Sequence, residues 1–182
     1  NDYAYIGGVV GYANNTTFEY VQYLGKLNIG DANYINDHYY KEVLIGGLVG
    51  KLTGKSNISD SGLSREDAAT LISLTAKFNS NTSNVSFAGG LIGGVTDTAT
   101  ISSSRIKASE ISRVSNLADG FGGIVGKVNA NTLTIKDSYV DGNVSSSGSS
   151  ISIGGIVGKV IGGAVDVSNV FYVSTDSSNS FG

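Results

Sequence analysis

The sequence predicts an all-β fold in which about five repeats stack as a parallel β-solenoid, with variable insertions between them. The heptapeptide GGIVGKV occurs at 122–128 and again at 154–160, and looser copies occupy 7–13, 46–52 and 89–95. A second strand-like block follows each copy, and both blocks are rich in the strand-favouring residues Val, Ile, Thr and Tyr. One active site needs a single such segment, whereas five copies favour stacked repeats.

The domain organisation follows from the same spacing. The repeats begin near residues 6, 45, 88, 121 and 153, so we expect one solenoid domain over residues 1–182. Methionine is absent, including at position 1, and no signal-peptide pattern precedes the first repeat. We therefore expect this chain to be a segment of a longer protein.

The glycine-rich heptapeptide should form a corner, because paired glycines permit positive φ and close backbone approach. As an extended strand it would place Ile124 inward, with Val125 and Lys127 on the opposite face. An outward Val125 conflicts with its apolar side chain. Either the central glycine is a bulge that reverses the alternation, or a variable segment covers this stripe. Lys51, Lys127 and Lys159 share one repeat position, and we expect these like charges to face water.

The segment IGGIVGKV followed by DSYVDGNVS resembles the GLUG-motif repeat of large bacterial surface proteins, among them filamentous-haemagglutinin-like adhesins and immunoglobulin-A-protease-associated proteins. The resemblance is strongest in 120–176, good at 45–64 and 88–112, and weaker in 1–30. It implies a right-handed parallel β-helix on the bacterial cell surface or outside the cell. It also implies a non-catalytic adhesin or stalk module that presents loops to a host protein, a glycan or neighbouring cells, and it carries over no catalytic residue.

Composition narrows the range of partners. The net charge of −3 and pI of about 5.0 give no basic field for nucleic acid, so we predict no nucleic-acid partner. No apolar run approaches the roughly 18–20 residues that span a bilayer, so we predict no direct membrane insertion. Open strand edges make end-to-end self-association a further expectation.

The sequence predicts no enzyme, no cofactor and no metal site. His38 is the one histidine, whereas zinc sites built from histidines need two or three. No GxSxG nucleophile turn occurs, and a strand rather than a helix follows each glycine motif, which excludes a phosphate loop. The alternative is a carbohydrate-active β-helix enzyme, resembling a polysaccharide lyase or glycosidase, which needs converging carboxylates. Its candidates are Asp60, Asp137, Asp141 and Asp166, although Asp also caps backbone amides in turns, which is the favoured interpretation.

Tyrosines are concentrated at the amino-terminal end, where they supply rigid, amphipathic contact area. The candidate ligand- or partner-binding residues are Tyr3, Tyr5, Tyr12, Tyr34, Tyr39 and Tyr40. A local aromatic ladder or an end cap would explain the same cluster without a ligand.

Two further segments leave their interpretation open. Residues 64–78 permit either a helix, with Ser64 and Asp67 as a capping box before Leu71 and Ile72, or a strand. Insertions at 31–43 and 65–84 are expected on one side of the solenoid. The stretch DTATISSS at 97–104 resembles one row of an ice-binding threonine array, which would need regular copies, and only one short copy is expected here.

Overall fold

The structure, a computed structural model, describes residues 2–29, 40–64, 70–74, 86–114, 119–146 and 152–174. Every regular element in these ranges is a β-strand. The strands are β1 Asp2–Gly7, β2 Val10–Asn14, β3 Thr17–Glu19, β4 Gln22–Tyr23, β5 Leu27–Ile29, β6 Tyr40–Gly46, β7 Val49–Thr53, β8 Lys55–Ser59, β9 Gly62–Ser64, β10 Thr70–Leu74, β11 Ser86–Gly89, β12 Ile92–Ser102, β13 Arg105–Val114, β14 Gly120–Gly122, β15 Val125–Ser146, β16 Ser152–Gly154 and β17 Val157–Val173. The prediction of an all-β fold is confirmed.

The strands form two parallel sheets in which the repeats lie side by side. The five-stranded sheet has the order β1-β6-β11-β14-β16, and the longer sheet follows β2-β7-β12-β15-β13-β10-β5, with β17 beside β15 and β3, β4, β8 and β9 as side branches. We call the strands of one repeat a layer. Layers 1 to 5 are β1–β5, β6–β10, β11–β13, β14–β15 and β16–β17. The prediction of parallel sheets is confirmed.

The first corner of each layer is made by the repeated glycine motif. In the five-stranded sheet, the first glycines of the five copies align in register: Gly7, Gly46, Gly89, Gly122 and Gly154. The central glycine is needed because the two strands of adjacent layers meet there backbone to backbone. A Cβ on Gly126 would lie 2.5 Å from the carbonyl carbon of Ala88, and one on Gly50 would lie 2.5 Å from the nitrogen of Ile6.

The corner also explains why Val125 is buried although strict alternation along one strand would place it on the outer face. The chain bends at Gly123 and Ile124, so β14 ends before β15 begins at Val125. Both Ile124 and Val125 are buried in the core, and the same holds for Leu48 with Val49. The pairing of β15 with β17 stays in register from Val125 to Val128, so Gly126 is not a bulge. Val125 is therefore buried without a bulge, because the chain bends between two strands that strict alternation treats as one.

A second corner is marked by one left-handed residue in each layer. These residues, with φ between 49° and 56°, are Tyr20, Asp60, Ser103, Asp137 and Asn169. Asn and Asp tolerate this conformation better than other non-glycine residues. A buried serine follows it in layers 2 to 4. Ser138 Oγ donates to the carbonyl of Lys136 at 2.8 Å and accepts from the amide of Ser104 at 3.1 Å, so this hydroxyl joins two layers.

The helix interpretation of the second insertion is wrong where the structure describes it. Residues 70–74 form β10, which pairs in parallel with β5 on one side and β13 on the other. Ile72 is fully buried between those layers, since it is aligned with Leu27 and Ser112. The interlayer hydrogen bonds and this burial outweigh the local capping pattern. Asp67 and the rest of the insertion lie outside the described residues.

Candidate ligand-binding surface

Three of the predicted tyrosines come together on layer 1. Tyr3 and Tyr5 have the same parity on β1, and the corner after Gly7 brings β2 and Tyr12 beside them. The ring centroids of Tyr3 and Tyr5 are 6.0 Å apart and tilted by 44°, while those of Tyr5 and Tyr12 are 6.0 Å apart and stacked at 27°. Tyr3 is 57% exposed and Tyr12 is 52% exposed, whereas Tyr5 is half-buried between them. We call these three residues the tyrosine surface.

Lysines flank the tyrosine surface. Lys41 Nζ lies 5.9 Å from the ring centroid of Tyr3, and Lys51 Nζ lies 4.7 Å from that of Tyr5. Both distances fall within the range in which the negative face of an aromatic ring attracts a cation. Lys41 is exposed, so its ammonium group is open to solvent beside Tyr3.

A mostly buried network of Glu42, Lys51 and Lys127 holds the hydroxyl end of Tyr5 in place. Glu42 accepts from Lys51 at 3.1 Å through one carboxylate oxygen and from Lys127 at 2.7 Å through the other. The Tyr5 hydroxyl donates to Glu42 at 3.1 Å and accepts from Lys51 at 3.0 Å. Lys127 Nζ also lies 5.0 Å from the ring centroid of Phe87. Because the Tyr5 hydroxyl both donates and accepts a hydrogen bond, the orientation of its ring is set by the fold.

The network also sets the charge states of its members. Burial alone raises the pKa of Glu42, but the hydrogen bonds and charges of Lys127 and Lys51 outweigh it and hold that pKa below its ordinary 4.5. Burial alone lowers the pKa of Lys51, but Tyr5 and Glu42 outweigh it and raise that pKa above 10.5. Burial raises the pKa of Tyr5 above 10.0 despite the opposing effect of Lys51. Glu42 is therefore anionic, Lys51 cationic and Tyr5 neutral around pH 7.

The expectation that the repeated lysines face water is wrong for two of them. The side chains of Lys51 and Lys127 are only 17% and 14% exposed, and that of Glu42 is 13% exposed. Gly94 occupies the lysine position of layer 3, between Lys51 and Lys127. The like charges are thus two layers apart, and one carboxylate bridges them. Lys159, in the last layer, is half-buried.

The remaining predicted tyrosines are elsewhere or undescribed. Tyr40 is half-buried and packs against the core at the start of β6. Tyr34, Tyr39 and the histidine His38 lie outside the described residues. Within the described part, layer 1 thus brings together three of the six candidates.

The candidate carboxylates occupy several different positions. Asp60 and Asp137 sit at the left-handed corner with the layer-3 residue Ser103 between them, so about two 4.8 Å steps separate them. Asp137 accepts a hydrogen bond from Asn169 at 2.8 Å. Asp166 is aligned with Thr134 on β15, and Asp141 is aligned with Lys107 on β13. The interpretation of Asp60 and Asp137 as corner residues agrees with their left-handed conformation.

The threonine stretch has a second copy that sequence inspection missed. Thr98 and Thr100 of β12 align with Thr132 and Thr134 of β15. The expectation of one short copy was therefore wrong, because TLT at 132–134 falls in register only once the layers are aligned. The array stops there, since Lys55, Asn57, Ala164 and Asp166 hold the equivalent positions in the layers on either side.

Sequence reasoning also missed the Glu42 network and an exposed apolar group on layer 5. The signal for Glu42 was its position directly before the core segment VLIGG, where a charged residue borders the start of a buried strand. On layer 5 the exposed apolar side chains are Ile153, Val160, Ile161, Val167, Phe171 and Val173. Phe171 aligns with the exposed Tyr139 of layer 4.

Comparison of the chain with protein-family models, with curated proteins and with solved structures found no match. The similarity to the GLUG-motif repeat therefore stays a prediction based on the residues quoted for it. In the part of the chain that the structure describes, no helix is long and apolar enough to cross a bilayer. The same residues contain no group of three or more His, Cys, Asp or Glu side chains arranged to hold a metal ion.

Proposed function

We propose that this chain is a non-catalytic binding module of a bacterial surface protein, located on the cell surface or outside the cell. In this proposal the stacked layers close into a right-handed β-solenoid. That rigid body presents the tyrosine surface to a glycan or a protein on a host or neighbouring cell. The single observation that carries the proposal is the geometry of the tyrosine surface: two half-exposed rings flank a third ring that an ion network holds in place.

The rigidity of Tyr5 supports a binding role because a ring that is already ordered loses little conformational entropy when a ligand binds. Tyr5 is held by Lys51 and Glu42, and Glu42 is held in turn by Lys127 two layers away. Tyr3 and Tyr12 keep more than half of their surface available. A purely structural aromatic ladder would be expected to cover those rings.

The alternative, a carbohydrate-active β-helix enzyme, receives less support from the described residues. The four candidate aspartates are distributed among different positions of different layers. The Tyr5–Lys51–Glu42 group has pKa values shifted away from neutrality, whereas a general acid or base works best with a pKa near the operating pH. These groups stabilise one another rather than being poised for proton transfer.

A glycan array followed by calorimetric titration of the best ligand tests the proposal. We expect Tyr3→Ala and Tyr12→Ala to weaken binding at least about 10-fold, as removal of aromatic contact residues at binding surfaces does. Tyr20→Ala is the matched control, because Tyr20 is 73% exposed but lies at the second corner of layer 1.

Thermal unfolding of the same variants separates binding from a structural role. Since Tyr3 and Tyr12 are more than half exposed, their removal should change stability by less than about 1 kcal/mol. A large loss of stability without a loss of ligand binding would assign the tyrosines to the fold and end the proposal.

A further inference from the structure

The electrostatic environment of the tyrosine surface differs in sign from that of the whole chain. Three ammonium groups, those of Lys41, Lys51 and Lys127, lie in or beside it, and Glu42 is the carboxylate that binds two of them. The chain as a whole carries a net charge of −3. A cationic site on an anionic protein favours a ligand that brings a negative charge to one point.

The exposed rings indicate the remaining chemistry of that ligand. Tyr3 and Tyr12 offer flat apolar faces, and their phenol hydroxyls can donate and accept hydrogen bonds. A sugar ring has the complementary character, with apolar C–H faces and a rim of hydroxyl groups. We propose that the tyrosine surface binds a carboxylate-bearing saccharide, such as a uronic acid residue, with the sugar on Tyr3 and Tyr12 and the carboxylate toward Lys41. This inference rests on the proposed function and specifies its ligand.

Lys41 is the cation that reaches the ligand, because the other two are committed. Lys51 and Lys127 bind Glu42 at 3.1 and 2.7 Å and are mostly buried. Lys41 is exposed and lies 5.9 Å from the centre of the Tyr3 ring. A carboxylate above the edge of Tyr3 can therefore pair with Lys41 while its sugar ring stays in contact with the tyrosines.

The overall charge disfavours densely charged partners. A nucleic acid or heavily sulfated polymer would bring many negative charges close to a protein of net charge −3, and their mutual repulsion would oppose binding. One carboxylate per sugar, placed beside Lys41, matches a site with a small local excess of positive charge. Contacts of the sugar ring with Tyr3 and Tyr12 then supply the part of the binding free energy that one ion pair does not provide.

Calorimetric titration with trigalacturonate and with its fully methyl-esterified form tests this inference, because the pair differs in charge and keeps the same sugar backbone. We expect the acid to bind the 182-residue chain about 5-fold or more tightly than the ester. Lys41→Ala should remove that preference, and Lys41→Glu should reverse it. Lys26→Ala is the matched control. Lys26 is exposed like Lys41, but it lies between β4 and β5 of layer 1 and is not among the cations that flank the tyrosine surface.

The outcomes separate this inference from the proposed function. Equal binding of acid and ester, abolished by Tyr3→Ala, would overturn the carboxylate preference and leave the binding module intact. Binding of neither saccharide, with other glycans bound on the array through the tyrosines, would do the same. A preference for the acid that survives Lys41→Ala would show that the saccharide carboxylate binds a group other than Lys41, and it would also overturn the inference. Circular dichroism confirms that each variant is folded.

Discussion

Replacement of Glu42 by glutamine is expected to lower the free energy of unfolding by about 3 kcal/mol. Glu42 binds Lys127 at 2.7 Å and Lys51 at 3.1 Å. With an effective dielectric constant of about 20, unit charges at these separations attract by roughly 6 and 5 kcal/mol. Desolvation of three charged groups offsets most of that attraction. Without Glu42, however, two ammonium groups stay in the same place and no anion balances them.

The estimate is at the lower end of the range for broken buried ion pairs because the site is not fully dry. The side chains of Glu42, Lys51 and Lys127 retain between 13% and 17% of their exposure, so water screens part of the interaction. Urea unfolding at pH 7, followed by circular dichroism, measures the change. Glu19→Gln is the matched control. Glu19 is an exposed carboxylate at the end of β3, and its replacement should change stability by less than about 0.5 kcal/mol.

A double variant tests the cause of the loss. Lys127→Met in the Glu42→Gln background removes one of the uncompensated ammonium groups, so it should recover part of the stability, with a coupling energy of about 1–3 kcal/mol. If Glu42→Gln behaves like Glu19→Gln, or if the two substitutions simply add, the carboxylate does not bridge the two lysines and the reasoning fails.

Three other predictions concern the charges, the second corner and the glycines. The fold lowers the pKa of Glu42, so the stability that this carboxylate contributes is present above the unfolded value near 4.5 and is lost as pH falls through the folded pKa. The fold raises the pKa of Lys51, so the stability that this ammonium group contributes is present below 10.5 and is lost as pH rises through the folded pKa. Melting temperatures from pH 2 to 11 should decline at both ends, and Glu42→Gln should flatten the acid side; an unchanged acid limb in that variant would contradict this. Ser138→Ala leaves the Ser104 amide without its acceptor and should cost about 1–3 kcal/mol in urea unfolding, whereas removal of the exposed Ser103 hydroxyl should cost little. Gly126→Ala places a Cβ 2.5 Å from the Ala88 carbonyl carbon and should destabilise by about 3 kcal/mol or prevent folding, whereas Gly162→Ala meets only the end of the Asn129 side chain at 2.9 Å and should be tolerated.

The repeat made the alignment of layers predictable from the sequence. A motif written five times predicts that each copy bonds to the next, and the first glycines, from Gly7 to Gly154, are aligned in register. The same letters did not predict the path within a copy. The alternation argument failed at Val125 because it assumed one unbroken strand, whereas the chain bends at Gly123 and Ile124. Periodicity along the stack is visible in a sequence, but a bend within one copy depends on backbone contacts between copies.

The candidate surface was predictable in part for a similar reason. Clustering along the chain marked Tyr3, Tyr5 and Tyr12, and two short strands with one corner were enough to bring them together. The anchor of that surface was not predictable, because Glu42 and Lys127 are 85 residues apart. Their contact depends on the alignment of layers 2 and 4 and on Gly94, which holds the lysine position of the layer between them and carries no side chain.

The tyrosine surface lies where the repeat departs from its own pattern. In the five-stranded sheet, which forms the first ladder of aligned residues, Tyr5 of layer 1 is followed by Leu44, Phe87 and Gly120 in layers 2 to 4. In the longer sheet, which forms the second ladder, Tyr12 of β2 is aligned with Lys51 of β7. The inner layers fill the space between these two ladders with aliphatic side chains, a phenylalanine and lysine stems, and they cover it. Layer 1 fills it with aromatic rings, and Lys51 of layer 2 reaches back to donate a hydrogen bond to the Tyr5 hydroxyl. The neighbouring layers thus supply both the cation that contacts Tyr5 and the rigidity of its ring. The residues proposed to select the ligand are those that differ from the repeat pattern, so a consensus sequence of the repeat would not contain them.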